Sequence, residues 1–186
     1  MKLLIMGPPG VGKGTQAKII KDKLQIAHIS TGELLRQEIA EKTEVGKVAK
    51  KYIDQGKLVP DNFLFTIVNE RLGQPDCRDG YILDGFPRTL NQANGLEKIM
   101  GSFNHSLERA ISLYADEDAL VERLVKRGED SGRSDDTSNI IRNRQKIYWQ
   151  QTAPLLDFYE ERGLLDNVNG LGEIKEITER ILTVIK

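Results

Sequence analysis

The stretch LLIMGPPGVGKGT, residues 3–15, constrains this chain more than any other part of it. Leu3–Met6 is apolar without alternation, the pattern of a strand covered on both faces in a parallel sheet. It runs straight into Gly7-Pro8-Pro9-Gly10-Val11-Gly12-Lys13-Gly14-Thr15, residues that end strands. A tight turn at that point aims successive backbone N–H groups into one hollow, and glycine lets the backbone take the torsions required and approach an anion closely. A helix that follows adds the positive end of its dipole, and Lys13 adds a full charge. Strand, G-x-x-x-x-G-K and helix in this order make a phosphate-binding P-loop. The Ser or Thr that usually follows the lysine is Gly14 here, with Thr15 one place later, so direct hydroxyl ligation of magnesium is not secured by the motif.

What surrounds the motif narrows the classes further. At 186 residues the chain suffices for one compact domain with small inserts. A net charge of -1 excludes a broad surface for nucleic acid or anionic lipid, so phosphate affinity must come from local arginines and lysines, and neither a nucleic-acid nor a membrane partner is expected. The single cysteine, Cys77, permits no internal disulfide and, with only His28 and His105 beside it, no closed zinc site. No Ser-His-acid arrangement supports acyl transfer. The apolar start is too short for a signal-peptide core and nothing is long enough to span a bilayer, so a cytoplasmic protein is expected.

Strand signals recur at Ile26–Ile29, Gly80–Asp84, Ala110–Tyr114 and, more weakly, Leu164–Val168. Helical periodicity separates them: Ala17 to Leu24, a helix opened by a Ser30/Glu33 capping box, and Val45, Val48, Ala49, Tyr52 and Ile53 in one stripe opened by Thr43. Another helix follows Pro60-Asp61, and a last one spans Glu173 to Ile185. The pattern predicts an α/β fold, a doubly wound parallel sheet of five strands flanked by helices. Three helices lie between the second and third strands where a crossover needs one, which predicts a helical insert over 30–59 on a core of 1–29, 60–125 and 137–186. Arg127 to Asp136 is polar and without period, hence a loop, and one long helix bent at Pro154 should carry Ile140, Ile141, Ile147, Tyr148, Leu155, Leu156 and Tyr159. Trp149 beside Tyr148 reads as packing rather than as a base-stacking platform.

Asp84 ends the third strand signal, where a carboxylate lies beside the phosphate loop and can orient magnesium or its waters. Arg36, Arg88, Arg127, Arg133 and Arg144 fall near loops or element ends. Arg144, four residues after Ile140 and three before Ile147, points along the apolar stripe of its helix, so it needs a compensating anion, either a phosphate or a structural carboxylate. Arg142 falls off the stripe and reads as solvated.

These segments together resemble the adenylate kinase family. The resemblance rests on the P-loop, Ser30-Thr31-Gly32-Glu33-Leu34-Leu35-Arg36, Asp84-Gly85-Phe86-Pro87-Arg88-Thr89 and Gly132-Arg133-Ser134-Asp135-Asp136, in that order along essentially the whole chain. The Asp-Gly-Phe-Pro-Arg segment is the narrow signal, belonging to nucleoside monophosphate kinases. The resemblance implies magnesium-dependent transfer of the ATP γ-phosphoryl group to AMP, giving two ADP, by a monomer with a short lid at 126–136 and without the zinc of longer-lidded relatives. It implies that Gly10, Val11, Gly12, Lys13, Gly14 and Thr15 hold ATP phosphates, with Arg127 against ATP and the Gly172 backbone near its adenine. It assigns AMP to Thr31, Arg36, Lys57, Leu58, Val59, Gly85, Phe86, Pro87, Arg88 and Gln92, with Arg133 and Arg144 closing on the phosphates. The insert would then be the AMP-binding part, and magnesium would meet Asp84 through water.

Phosphoryl transfer asks for alignment and fixed positive charge in a site that excludes water, which arginine-rich walls and closing pieces supply. Two other readings stay open at this level. A pyrimidine monophosphate kinase would share the architecture and differ in its base pocket, where the resemblance of Thr31 and Gln92 favours adenine. A nucleotide-driven switch would need an effector segment that the chain does not spare, and would not need a second phosphate site.

Overall fold

The computed structural model of the chain describes residues 1–131 and 135–185. Its centre is a five-stranded, wholly parallel sheet of β1 (Lys2–Met6), β2 (Ala27–Ser30), β3 (Tyr81–Asp84), β4 (Arg109–Tyr114) and β5 (Leu165–Asn169), in the order β2-β3-β1-β4-β5. The unbroken apolar run of β1 has its reason here. Leu3 and Ile5 belong to the core on one face of the sheet, with Ile20, Ile82, Ile111 and Ile181; Leu4 and Met6 belong to the core on the other, with Ile29, Leu83, Phe86 and Leu96. A strand buried on both sides cannot alternate.

Helices cover both faces. The P-loop leads into α1 (Lys13–Leu24). Between β2 and β3 lie α2 (Thr31–Ala40), α3 (Glu44–Ile53) and α4 (Asp61–Leu72), then a short 3-10 turn at Pro75–Cys77. The Thr43 hydroxyl caps α3 by accepting from the Gly46 N–H, as the sequence predicts. Ser30 caps α2 by accepting from Glu33 N, but the reciprocal half of the expected capping box is not made: the Glu33 carboxylate reaches Lys18 at 2.8 Å instead. The reciprocal box occurs at the other end of the chain, between Glu173 and Glu176. After β3 come α5 (Leu90–Ser102), capped by Thr89, and after β4 α6 (Glu117–Ser131).

Two expectations are corrected. The segment from Arg127 is helical as far as Ser131, so the loop before the next helix is shorter than 127–136. The stretch Arg127-Gly128-Glu129-Asp130-Ser131 holds no apolar residue, which is why periodicity misses it. The single bent helix is three pieces: α7 (Ser138–Ile147), a π-helical turn over Tyr148–Thr152, and α8 (Pro154–Glu160), with Pro154 opening α8 where its missing N–H costs nothing. Tyr148 is buried, and Trp149, 53 % exposed, packs edge-on against it with ring centroids 5.2 Å apart. The chain closes with β5 and α9 (Ile174–Val184), and α9 packs on α1 and β5.

The sheet also places the site. Ile5 of β1 pairs with Asp84 of β3, and Asp84 pairs with Ser30 of β2. The P-loop, the start of α2 and the Gly85–Arg88 turn therefore leave three adjacent strands at one level, on the carboxyl edge. The chain goes from β1 to one side of the sheet for β2 and β3 and to the other side for β4 and β5, so this edge is its switch point, where ligands of open α/β sheets bind.

Candidate active site

Two cavities open on that edge and share a wall. The larger, of about 590 Å³, is lined by the P-loop, Asp84, Arg123, Arg127, Gly172 and the π-turn residues Tyr148 and Thr152. The smaller, of about 80 Å³, is lined by Thr31, Leu35, Lys57, Val59, Leu64 and Asp135. Arg36, Leu58, Gly85, Arg88 and Arg144 face both.

In the P-loop, Gly12 has φ +99° and an open space where a side chain would stand, so only glycine fits the left-handed turn and leaves the backbone bare to an approaching group. Lys13 folds back over the loop, its Nζ donating to Gly7 O at 2.7 Å and Pro8 O at 2.9 Å. Burial lowers its ammonium from the usual lysine value to about 7; Asp84 works against that shift, and Arg88, Arg144 and Arg127 reinforce it. A cation held this poorly is one for which an added anion has a large effect.

Asp84 is the counter-charge of the site. Burial alone would raise its carboxyl, but His28, Lys13 and Arg88 together hold it below the ordinary aspartate value. His28 Nε2 lies 3.5 Å from Asp84 Oδ2, longer than a good hydrogen bond, and is buried with no closer partner. The other Asp84 flank is Gly14, where a Cβ would come within 3.4 Å of Oδ2. Among the described residues no three of His, Cys, Asp and Glu stand together as a metal cage. One buried carboxylate beside a bare loop suits magnesium, which keeps several waters and takes phosphate oxygens as its other ligands.

The compensating anion of Arg144 is a pair of carboxylates. Its Nη1 lies 2.9 Å from Asp135 Oδ2 and 2.8 Å from Asp136 Oδ1, and Arg127 grips Asp136 with two bonds of 2.7 Å. The side chain of Asp136 is fully buried between the two guanidiniums. Both arginines thus keep their forks aimed at oxyanions along the wall of the large cavity. Arg88 is held from three sides: its Nε donates to Gly85 O at 2.7 Å, its carbonyl accepts from Thr152 Oγ1 at 2.9 Å, and its N–H donates to Gln92 Oε1 at 2.7 Å. Burial and the neighbouring Arg144 both depress its guanidinium, with Asp84 opposing.

Of the residues expected from sequence, Gly10 to Thr15, Arg127 and Gly172 meet at the large cavity, and Thr31, Lys57 and Val59 at the small one. Pro87 lines the large cavity rather than the small one. Phe86 and Gln92 line neither: Phe86 is fully buried in the core, edge-on to Phe65 with ring centres 6.1 Å apart, and Gln92 is fully buried behind Arg88. Arg133 lies outside the described residues. Sequence reading passed over Arg123 and Gln145. Arg123 lines the large cavity and donates to Gly170 O at 3.3 Å, near Gly172; nothing in its spacing sets it apart from a solvated arginine. Gln145 is buried, donates to the P-loop carbonyl of Pro9 at 3.3 Å and leaves Oε1 without a partner. Its signal was available: it lies on the stripe of Ile141 and Tyr148, where a polar residue needs a reason.

The family model described as adenylate kinase matches residues 5–164. The chain is 48% identical over 186 residues to the adenylate kinase of Stenotrophomonas maltophilia (strain K279a), covering 100% of both chains. It is 45% identical over 185 residues to the adenylate kinase of Nocardia farcinica, covering 100% of this chain and 99% of that one. With the adenylate kinase of Bifidobacterium longum it shares 48% identity over 183 residues and 98% of each chain. A P-loop and an arginine-walled second cavity on one sheet edge, in a chain alike from end to end to these proteins, place it in a known group: the chain belongs to the adenylate kinase family.

Proposed function

We propose that the chain catalyses reversible, magnesium-dependent transfer of the ATP γ-phosphoryl group to AMP, giving two ADP, and that it does so as a cytoplasmic monomer. The observation that carries this reading is the wall of Arg36, Arg88 and Arg144 common to two cavities, one of them built on the P-loop. An enzyme that only hydrolysed ATP would need one anion site; a phosphoryl acceptor with its own phosphate needs the second.

ATP phosphates sit on the N–H groups of Gly10 to Thr15, with Lys13 and Arg127 on their oxygens and the Gly172 backbone and Arg123 at the adenine end. AMP sits among Thr31, Arg36, Lys57, Leu58, Val59 and Gly85. Arg88 and Arg144 stand between the two phosphate groups. Charge that spreads over the moving group meets guanidiniums already held in place, so little reorganisation is left for the transition state. Asp136 and Asp135 keep Arg127 and Arg144 extended until phosphate oxygens take their place. Asp84 would hold magnesium through water, and magnesium would supply the charge that neutralises the bridging phosphate oxygens.

At about 80 Å³ the acceptor cavity is smaller than the roughly 300 Å³ at which small-molecule sites begin. Entry of AMP therefore requires the 30–59 insert to swing away, and its return excludes water from the reacting centre. The test is product analysis. Magnesium, ATP and AMP together should yield ADP at two per ATP consumed, ADP alone should run the reverse, and EDTA should stop both until magnesium is restored. CMP and UMP should be poorer acceptors than AMP. Phosphate release from ATP that ignores AMP would overturn the reading.

A further inference from the structure

Three threonines inside helices, Thr66, Thr178 and Thr183, each donate to the carbonyl four residues before them, at 3.0, 2.9 and 2.9 Å, the usual bond of a helical threonine. Thr152 departs from them. The carbonyl four residues before it is Tyr148 O, which accepts the Ala153 N–H at 2.8 Å and so closes the π-helical turn. That turn is wide where Pro154 follows, a residue that has no N–H and whose ring would meet the Gln150 carbonyl of a regular helix. The Thr152 side chain is buried, and its hydroxyl leaves the helix altogether, donating to Arg88 O at 2.9 Å.

Arg88 stands in the Gly85–Arg88 turn, between β3 and α5, so no ladder of backbone bonds fixes its carbonyl. Arg144 faces the same two cavities, and two guanidiniums on one wall repel each other. Burial first, and Arg144 next, depress the Arg88 guanidinium. Something other than their mutual preference must keep the two together while the wall holds no phosphate. The π-turn runs straight on from α7, since the Tyr148 N–H that begins it donates to Arg144 O. Thr152 therefore lies further along the helical run that carries Arg144, and its bond to Arg88 O joins the two arginines through one rigid element.

We infer that Thr152 is a positioning residue for phosphoryl transfer: its hydroxyl ties the Arg88 backbone to the helical run that carries Arg144, and so sets the two guanidiniums at a fixed separation on the wall between the cavities. This rests on the transfer from ATP to AMP proposed above. Charge that spreads over a moving phosphoryl group is best met by donors already in place, and a displacement of about 1 Å costs on the order of 100-fold in rate. Loss of the hydroxyl leaves Arg88 O without its donor, and repulsion from Arg144 then moves Arg88 away.

The experiment measures kcat and KM for ATP and AMP, with magnesium, on the wild type, Thr152→Val, Thr152→Ser, Arg88→Ala and the double variant of Thr152→Val with Arg88→Ala. Valine keeps the shape of threonine without the hydroxyl, and serine keeps the hydroxyl. Thr152→Val should lower kcat/KM for AMP at least about tenfold with KM for ATP within about twofold, and Thr152→Ser should stay within about threefold of the wild type. In the Arg88→Ala background Thr152→Val should cost less than about twofold, because the group it positions is gone. A folded Thr152→Val enzyme with wild-type kinetics overturns the inference and leaves ATP and AMP as the substrates. A full loss that persists in the Arg88→Ala background does the same, since Thr152 then acts through another group. Equal losses in Thr152→Ser and Thr152→Val also overturn it. A wild type that makes no ADP from ATP and AMP fails the proposed reaction, and this inference with it. Should Thr152→Val not fold, Thr152→Ala, the better helix former, takes its place in the same cycle with the same outcomes.

Discussion

Lys13 shows how a single residue is prepared for its ligand. Burial and three arginines bring its ammonium down to about 7, so at neutral pH it is only partly charged while the cavity lacks an anion. Phosphates brought against Nζ favour the charged form and must raise that value. Binding of ATP therefore takes up a proton between about pH 7 and the ordinary lysine range, and affinity falls as pH rises through that window, by up to about tenfold per unit. Calorimetry at pH 8 in two buffers of different ionisation enthalpy measures this directly, since the terminal phosphate is already fully ionised there. Uptake should approach one proton in the wild type and vanish in Lys13→Met, whose turnover should drop about 100-fold or more through loss of a preorganised donor. No uptake in the wild type would mean that Lys13 does not meet the phosphates. The position of this lysine, at the turn between β1 and α1, was legible from the motif. Its depressed basicity was not, because burial, the main cause, and the lesser push of Arg88, Arg144 and Arg127 arise only when distant parts of the chain meet. Arg144 divides in the same way: its inward position follows from spacing alone, whereas its partners Asp135 and Asp136 emerge only when α7 is folded against the end of α6.

Among the elements, α3 with its apolar stripe and its Thr43 cap was legible, and so was every strand of the sheet. Two elements escaped, for different reasons. The last turns of α6 are charged, and the π-helical turn at Tyr148–Thr152 keeps an apolar stripe running through a change of helix type. That turn matters, since Thr152 within it holds the Arg88 carbonyl. The contact between the insert and α7 was equally hidden. Asn143 Nδ2 donates to Gln55 O at 2.8 Å, and Gly56, at φ +65°, sits so close to α7 that a Cβ would stand 2.9 Å from Ile140 Cγ2 and 3.1 Å from Arg144 Cγ. Gly56→Val should push the insert off α7 and displace Arg144. The expected result is a KM for AMP raised about tenfold with a smaller change for ATP, and a loss of about 1–3 kcal/mol in denaturant melts from the strained turn and the overpacked contact. Asn143→Ala removes one exposed bond and should change KM for AMP less than about threefold. A folded Gly56→Val enzyme with wild-type AMP kinetics would show that this seat does not shape the acceptor site.

For the molecule as a whole, the alternation of strands and helices made the fold class legible, but the strand order did not follow from it. Pairing of β1 with both β3 and β4 is a non-local choice, settled by which crossovers pack on which face, and it is this choice that brings Gly7, Thr31 and Gly85 to one edge. The same edge gives the two cavities a common wall, so their ligands should act as one when joined. Two adenosines linked through a chain of phosphates long enough to cross Arg88 and Arg144 gain the effective concentration of a tethered pair. At 100 times its dissociation constant such a compound stabilises the folded state by about 2.7 kcal/mol, which in a chain of this size raises the melting temperature by about 5–11 °C. At equal concentration it should raise the melting temperature more than ATP and AMP added together, and shortening the phosphate chain should remove the excess, because a short linker cannot span the wall. Arg88→Ala should lower the gain for the linked compound more than for ATP alone, since Arg88 borders both cavities. A linked compound that stabilises no better than ATP would mean that the cavities do not take two nucleotides at once, and the direct phosphoryl transfer proposed here requires that they do.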